Sequence, residues 1–238
     1  MLSDYGRGLR HGLPIALGYV SVAFAFGIQA RSAGLSTLQA VLISLLNVTS
    51  AGQLAGLTLM TAGAGLTEMV LTQLTINLRY ALMSLSLGQK LDRSMTLVHR
   101  ALIAFCNTDE VFAVASQQPG MVGRAYLYGL TNGPFVGWVL GTLLGALAGG
   151  LLPKALTDAL GIAIYGMFIA IVLPPLRRMR EVRAVVGVSV ALSCALALMP
   201  VFSFVSDGFR IIICAVVASV LGAWLMPLRA EDAAKEDD

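Results

Sequence analysis

The sequence predicts an all-α membrane protein of about eight hydrophobic segments, and three observations carry that prediction. First, 57% of the 238 residues are hydrophobic and only 12% are charged, with a mean hydropathy of +0.82. A soluble domain carries about 25% charged residues. Second, the apolar runs reach 18 residues or more, enough to cross a hydrocarbon core of about 30 Å as a helix. Third, the runs are rich in Leu, Ala, Met and Gly and lack the ten-residue alternation of a membrane β-barrel. Helices are then the way to satisfy backbone groups in lipid.

Eight runs qualify, at 12–30, 37–62, 66–87, 98–116, 122–149, 155–175, 184–203 and 208–226. The first follows Arg7 and Arg10 and resembles a secretion signal, but seven further runs follow it, so it reads as a retained helix. Residues 1–238 form a single integral membrane domain, with 229–238 as a short polar tail. The net charge of +3 does not point to nucleic acid, because the basic residues sit at segment ends rather than in one patch. Cys106, Cys194 and Cys214 lie inside apolar runs without metal-ligand spacing and read as packing residues.

Basic residues accumulate in short cytoplasmic loops. Four clusters should therefore be inside: Arg7 with Arg10; Lys90 with Arg93 and Arg100; "RRMREVR" at 177–183; and Arg229 with Lys235. Eight simple crossings put Lys90, Arg93 and Arg100 outside. Folding the second and sixth segments back to the side they enter brings every cluster inside. Arg31, Arg124 and Arg210 are then outside, and Arg79 lies within the membrane. The second segment has its own reason to break, because "NVTSAGQ" at 47–53 places Gly52 among polar residues that compete for backbone hydrogen bonds. The sixth has Gly161 and Gly166.

A likeness at a spacing of about 115–120 residues suggests repeats at 7–117 and 122–228. "GLPIALGYVSVAFAFG" at 12–27 is similar to "NGPFVGWVLGTLLG" at 132–145, and Glu68 and Glu181 open the third segment of each half. With re-entrant second and sixth segments, the halves start on opposite sides and form inverted repeats, a transporter architecture.

The third segment carries the strongest chemical signal. Phased at about 100° per residue, Val70, Leu71, Leu74, Leu78, Ala81, Leu82 and Leu85 form one lipid-facing arc. Glu68, Thr72, Thr75, Arg79 and Ser86 form a polar stripe, and Gln73, Asn77, Tyr80 and Ser84 a second one. A mid-membrane Arg costs about 2.5–3.5 kcal/mol on insertion scales and pairs with an acid or faces a wet cavity. The acids are at hand in "FCNTDEVFAV" at 105–114, which buries Asn107, Thr108, Asp109 and Glu110 in apolar sequence. Adjacent carboxylates diverge by about 100° on a helix, so one can pair with Arg79 while the other titrates or meets ligand. A purely structural ion pair is the competing reading. Gly52 and Gln53 lie at the break of the second segment, where exposed backbone and half-helix dipoles can bind a zwitterion. Asn77 with Tyr80 should face the pathway. The candidate substrate-binding or coupling set is thus Gly52, Gln53, Asn77, Arg79, Tyr80, Asn107, Asp109 and Glu110.

Enzymatic function is not expected. His11 and His99 are the only histidines and stand at segment ends, no HExxH, Gly-x-Gly-Asp or phosphate-loop motif occurs, and no metal or cofactor is called for.

In this order, "GLP" at 12–14, "GLS" at 34–36, "AGQ" at 51–53, "NLRY" at 77–80, "TDE" at 108–110 and "MF" at 167–168 resemble the AzlC family, the large subunits of bacterial branched-chain amino acid exporters. The resemblance covers roughly residues 7–175. It departs at Tyr80, where the family pattern commonly has His. It implies a multi-pass protein of the bacterial inner membrane, and the basic clusters near the two ends put both termini in the cytoplasm. Such a protein would export valine, leucine, isoleucine or methionine with a small AzlD/YgaH-like membrane subunit. Proton coupling fits buried carboxylates without an ATP motif. The alternative is a structural or regulatory membrane subunit without a substrate site of its own.

Overall fold

A computed structural model describes residues 2–149, 169, 172–174 and 176–225. Its regular elements are helices: α1 (Leu2–Ser32), α2 (Thr37–Leu46), α3 (Ser50–Thr61), α4 (Leu66–Gly88), α5 (Leu97–Phe105), α6 (Asp109–Ser116), α7 (Arg124–Ala148), α8 (Arg180–Leu198) and α9 (Asp207–Leu225). Among the described residues, α1, α7, α8 and α9 are long and apolar enough to cross a membrane. The second and fourth apolar segments are each two short helices, and the third is one 23-residue helix. The sixth, at 155–175, lies almost wholly outside the described residues, as does the tail at 229–238. The chain divides into two compact units, the first containing residues up to Thr58 and from Asn77 through α7, the second Leu59–Ile76 with α8 and α9.

The spine of the first unit is α1 against α7. A β-carbon at Gly137 would press on Ala16, one at Gly141 on Val20, and one at Gly145 on Phe24, in each case on backbone atoms. Both partners advance four residues at a time in the same direction, so the helices run parallel, with glycines allowing the close approach. The likeness between 12–27 and 132–145 thus belongs to two helices packed side by side. The sequence reading starts these segments at opposite ends, and the structure differs for a specific reason. The fourth segment, taken as one crossing, turns back.

That turn is at Cys106–Thr108. Thr108 is extended (φ −85°, ψ 173°), and its side chain accepts from the Val111 amide to start α6. α5 begins where His99 Nδ1 meets the Tyr128 hydroxyl at 2.9 Å, and α6 ends where Lys90 Nζ donates to the Ser116 carbonyl. Both places adjoin the first turns of α7, because Lys90 and Asp92 bond the backbone of Val122. At about 1.5 Å per residue, arms of 9 and 8 residues reach roughly half of a 30 Å core.

Residues 37–61 form a second such hairpin. α2 starts on a Ser36–Gln39 capping box, and the chain breaks at Asn47–Thr49 before α3, within the stretch singled out by sequence. Gly52 N donates to Thr49 Oγ1 at 3.3 Å. Ala40 on one arm and Leu57 on the other join a cluster with Phe26 and Ala30, near the far end of α1. Val48 at the tip packs with Tyr19 and Ala23, halfway along α1. The two hairpins therefore enter from opposite ends, and their tips converge beside the middle of α1.

In the second unit, α8 and α9 pack as a pair, with Gly222 close to Val185. Glu68, in the first turn of α4, accepts from Gly208 N at 2.9 Å and from the Ser206 hydroxyl, capping α9.

Candidate functional site

The site lies in the first unit, where the two tips meet α1 and α4. α6 begins at Asp109, so the two acids occupy its first turn, where the helix dipole favours negative charge. Their side chains diverge. Asp109 Oδ2 lies 2.6 Å from Arg79 Nη1, and Glu110 Oε2 accepts from the Tyr19 hydroxyl at 2.5 Å. The same hydroxyl lies 2.6 Å from Thr108 Oγ1. Tyr19 is fixed by Trp138 of α7, with ring centroids 5.1 Å apart in an edge-on arrangement.

Arg79 also donates to the Tyr80 hydroxyl at 3.0 Å, with its guanidinium 4.8 Å from the Tyr80 ring centre. Helical phasing places Arg79 and Tyr80 on different stripes, and the long arginine side chain folds back to join them. Tyr80 therefore belongs with Arg79 rather than only with Asn77. The Tyr80 hydroxyl in turn faces Thr49 at the other tip, so α4 links both tips through two consecutive residues. Asn107 Nδ2 donates to Ser84 Oγ at 3.0 Å, and Asn107 Oδ1 is buried without a hydrogen-bond partner. Asn77 lies on α4 half a turn before Arg79 and is half-buried.

Two predicted residues go elsewhere. Gln53, 1% exposed, donates to Ser44 Oγ at 2.6 Å, and Ser44 bonds Thr142 Oγ1 of α7 at 2.6 Å. Gly52 is buried at the first turn of α3. Both hold the uncharged hairpin together. Tyr19 and Trp138 of the centre were missed by sequence, and Ser84 and Thr108 were noted there as polar residues but left out of the candidate set. For Thr108 the signal was present, since a threonine followed by two acids is a helix-start pattern.

The Arg79 and Asp109 side chains are 44% and 42% exposed, so the pair is reachable. A cavity of about 320 Å³ runs from Ser84 and Asn107 at the tip, between Leu87 and Ile103, to Met95 and Arg100. A larger cavity of about 370 Å³, edged by Asp4, Arg7, Asp92 and Arg124, lies at the end where α7 starts, away from the tips.

The family described as AzlC protein matches residues 14–152. The chain belongs to the AzlC family. A relative from Archaeoglobus fulgidus, named an uncharacterized membrane protein, is 35% identical over 79% of this chain and 84% of its own. The inner membrane protein YgaZ of Escherichia coli is 31% identical over 93% and 92%. A Helicobacter pylori membrane protein is 27% identical over 60% and 63%. No solved structure matches. The AzlC match spans both hairpins and the helices that carry the paired charges, so in this chain the site lies within the family's own region.

Proposed function

We propose that this protein is an inner-membrane secondary transporter that exports branched-chain, L-valine-type amino acids, and that the Arg79–Asp109 pair is where the amino acid binds. The observation that carries this reading is the pair itself, set at a hairpin tip beside the middle of α1. A zwitterion brings one carboxylate and one ammonium, so it can replace each partner of the pair with the other's equivalent, the carboxylate on Arg79 and the ammonium on Asp109. No net charge is then left unpaired in a site where an unpaired charge is costly. The adjacent cavity, walled by Leu87, Ile103 and Met95, suits a branched apolar side chain and supplies a path from one end of the unit to the tip.

Charge supports an orientation. Arg7, Arg10, Lys90, Arg93, Arg100 and Arg124 gather at the end where α1 and α7 begin, and that end is cytoplasmic by the positive-inside rule. Arg124 thus moves to the inside. The hairpins are then re-entrant, 37–61 from outside and 97–116 from inside. The Escherichia coli relative, an inner membrane protein by name, supports the inner membrane as location. A small AzlD/YgaH-like subunit completes the exporter, and protons drive it.

Replacing Arg79 by Ala in a valine-sensitive, export-deficient host tests the reading. Loss of valine tolerance at normal protein level is expected, and full tolerance would refute it. Efflux from vesicles with both subunits, compared with the small subunit alone, separates transport by this chain from a structural role.

A further inference from the structure

We infer that Glu110 is the proton-binding group of the transporter, a site separate from the Arg79–Asp109 pair that receives the amino acid, and that Tyr19 and Thr108 position it. This deepens the transport reading and rests on it. The two acids are neighbours in sequence but have different partners. Asp109 faces a guanidinium at 2.6 Å, whereas Glu110 faces the Tyr19 hydroxyl at 2.5 Å. Among the described residues no Arg, Lys or His forms an ion pair with Glu110. A carboxylate at mid-membrane depth without a cation is the one that protonation relieves. Asp109 already has its counter-charge, and the substrate ammonium takes over that role when the pair opens.

The surroundings of Glu110 supply few other charges. Its own helix contributes Asp109, α4 contributes Arg79 and Tyr80, and α1 contributes Tyr19. On α7, Trp138 packs edge-on against Tyr19 and does not titrate. The two histidines are engaged elsewhere, with Tyr126 and Tyr128.

Tyr19 converts the protonation state into a change at the tip. Its hydroxyl has one hydrogen and two acceptors within reach, Glu110 Oε2 at 2.5 Å and Thr108 Oγ1 at 2.6 Å. One hydrogen serves one acceptor at a time. With Glu110 ionised, the hydrogen goes to the carboxylate. With Glu110 protonated, the carboxylic acid donates to the phenol oxygen and the phenol hydrogen turns to Thr108. Thr108 Oγ1 is also the cap that accepts from the Val111 amide, so proton uptake alters the hydrogen bond that starts α6 and fixes the tip. The bistable element is the shared phenol hydrogen, and the group that biases it is Glu110.

The test uses everted membrane vesicles containing the full chain with the AzlD-type subunit, and radiolabelled L-valine. Valine exchange is measured without a gradient, and valine accumulation with an imposed pH gradient. Glu110→Gln should keep exchange and lose gradient-driven accumulation by about tenfold or more, a tenfold change corresponding to about 1.4 kcal/mol. Accumulation that still follows the gradient overturns the proposal. Lost exchange at wild-type protein level also overturns it, because Glu110 is then a substrate ligand. Tyr19→Phe keeps the ring and removes the hydroxyl. Its exchange should persist while gradient-driven accumulation falls, since the hydroxyl that joins Glu110 to Thr108 is gone. Accumulation equal to wild type removes Tyr19 from the mechanism. If the wild-type vesicles do not exchange valine, the transport reading itself fails, a result distinct from any outcome for Glu110.

Discussion

The hairpins at 37–61 and 97–116 share a backbone plan and differ in chemistry. Each is two half-length helices interrupted by a short break, and at each break a threonine side chain, Thr49 or Thr108, accepts from an amide of the returning helix. A tyrosine from a longer helix attends each threonine, Tyr80 for Thr49 and Tyr19 for Thr108. The two tyrosines, like the two threonines, stand about 60 residues apart in sequence. After Thr49 come Ser50, Ala51 and Gly52, and after Thr108 come Asp109 and Glu110. One tip therefore offers neutral donors and the other two carboxylates. A half-helix start is a repeatable structural device, and the two residues after its cap decide whether it carries charge.

If the charged tip does the chemistry, the largest effect should come from its ion pair. Arg79→Ala and Asp109→Asn should each abolish valine tolerance while leaving the protein in the membrane. Each substitution leaves one charge of the pair without its partner, which costs some stability, and loss of transport should exceed loss of protein. Immunoblots of membranes beside growth in valine would check this. Protein loss that accounts for all the sensitivity would reassign the pair to folding.

The neutral hairpin should respond in the opposite way. Gln53→Ala leaves a hole and removes the bond to Ser44, with a cost on the order of 2 kcal/mol, read as less protein and a lower Tm in detergent. Gln53→Leu fills the space and leaves Ser44 and Thr142 bonded to each other, and it also removes a buried amide oxygen that has no partner. It should be close to wild type in both level and export. Normal protein with no export in Gln53→Leu would place Gln53 in the pathway and erase the contrast between the hairpins.

The two breaks were unequally legible. "NVTSAGQ" announced itself through glycine and a run of short polar side chains inside an apolar segment. "CNTDE" has no glycine, and its acids drew attention to charge rather than to the helix start they mark. Reading residues 98–116 as one crossing then reversed α7 and put Arg124 on the wrong end relative to Arg7. The ion pair was legible because an arginine alone in an apolar run needs an acid and the next segment holds two. Tyr19 and Trp138 were not, because an aromatic in an apolar helix is ordinarily a packing residue, and only the fold shows a hydroxyl aimed at a carboxylate.

Smaller effects should follow from the caps. Thr49→Val removes one helix cap, worth about 1 kcal/mol. Thr108→Val removes a cap and also one of the two acceptors of Tyr19, so it should cost more export than Thr49→Val at similar stability. Efflux rates normalised to protein amount would rank them. Equal rates would mean that the Tyr19–Thr108 bond has no part in the cycle.

The smallest change is expected at Tyr80, the position where the family pattern commonly has histidine. Tyr80→His should retain export at neutral pH, because a neutral imidazole offers a lone pair to Arg79 as the phenol oxygen does now. At acid pH the ring gains a proton, loses that lone pair and repels the guanidinium. Export by this variant should therefore acquire an acid limb that Tyr80→Phe lacks. The comparison with Phe matters, because both variants lose the hydroxyl facing Thr49, and only the histidine can turn the Arg79 contact on and off. Identical pH profiles for the two would show that residue 80 does not touch Arg79 during export, leaving Asp109 as the partner that sets the arginine for substrate.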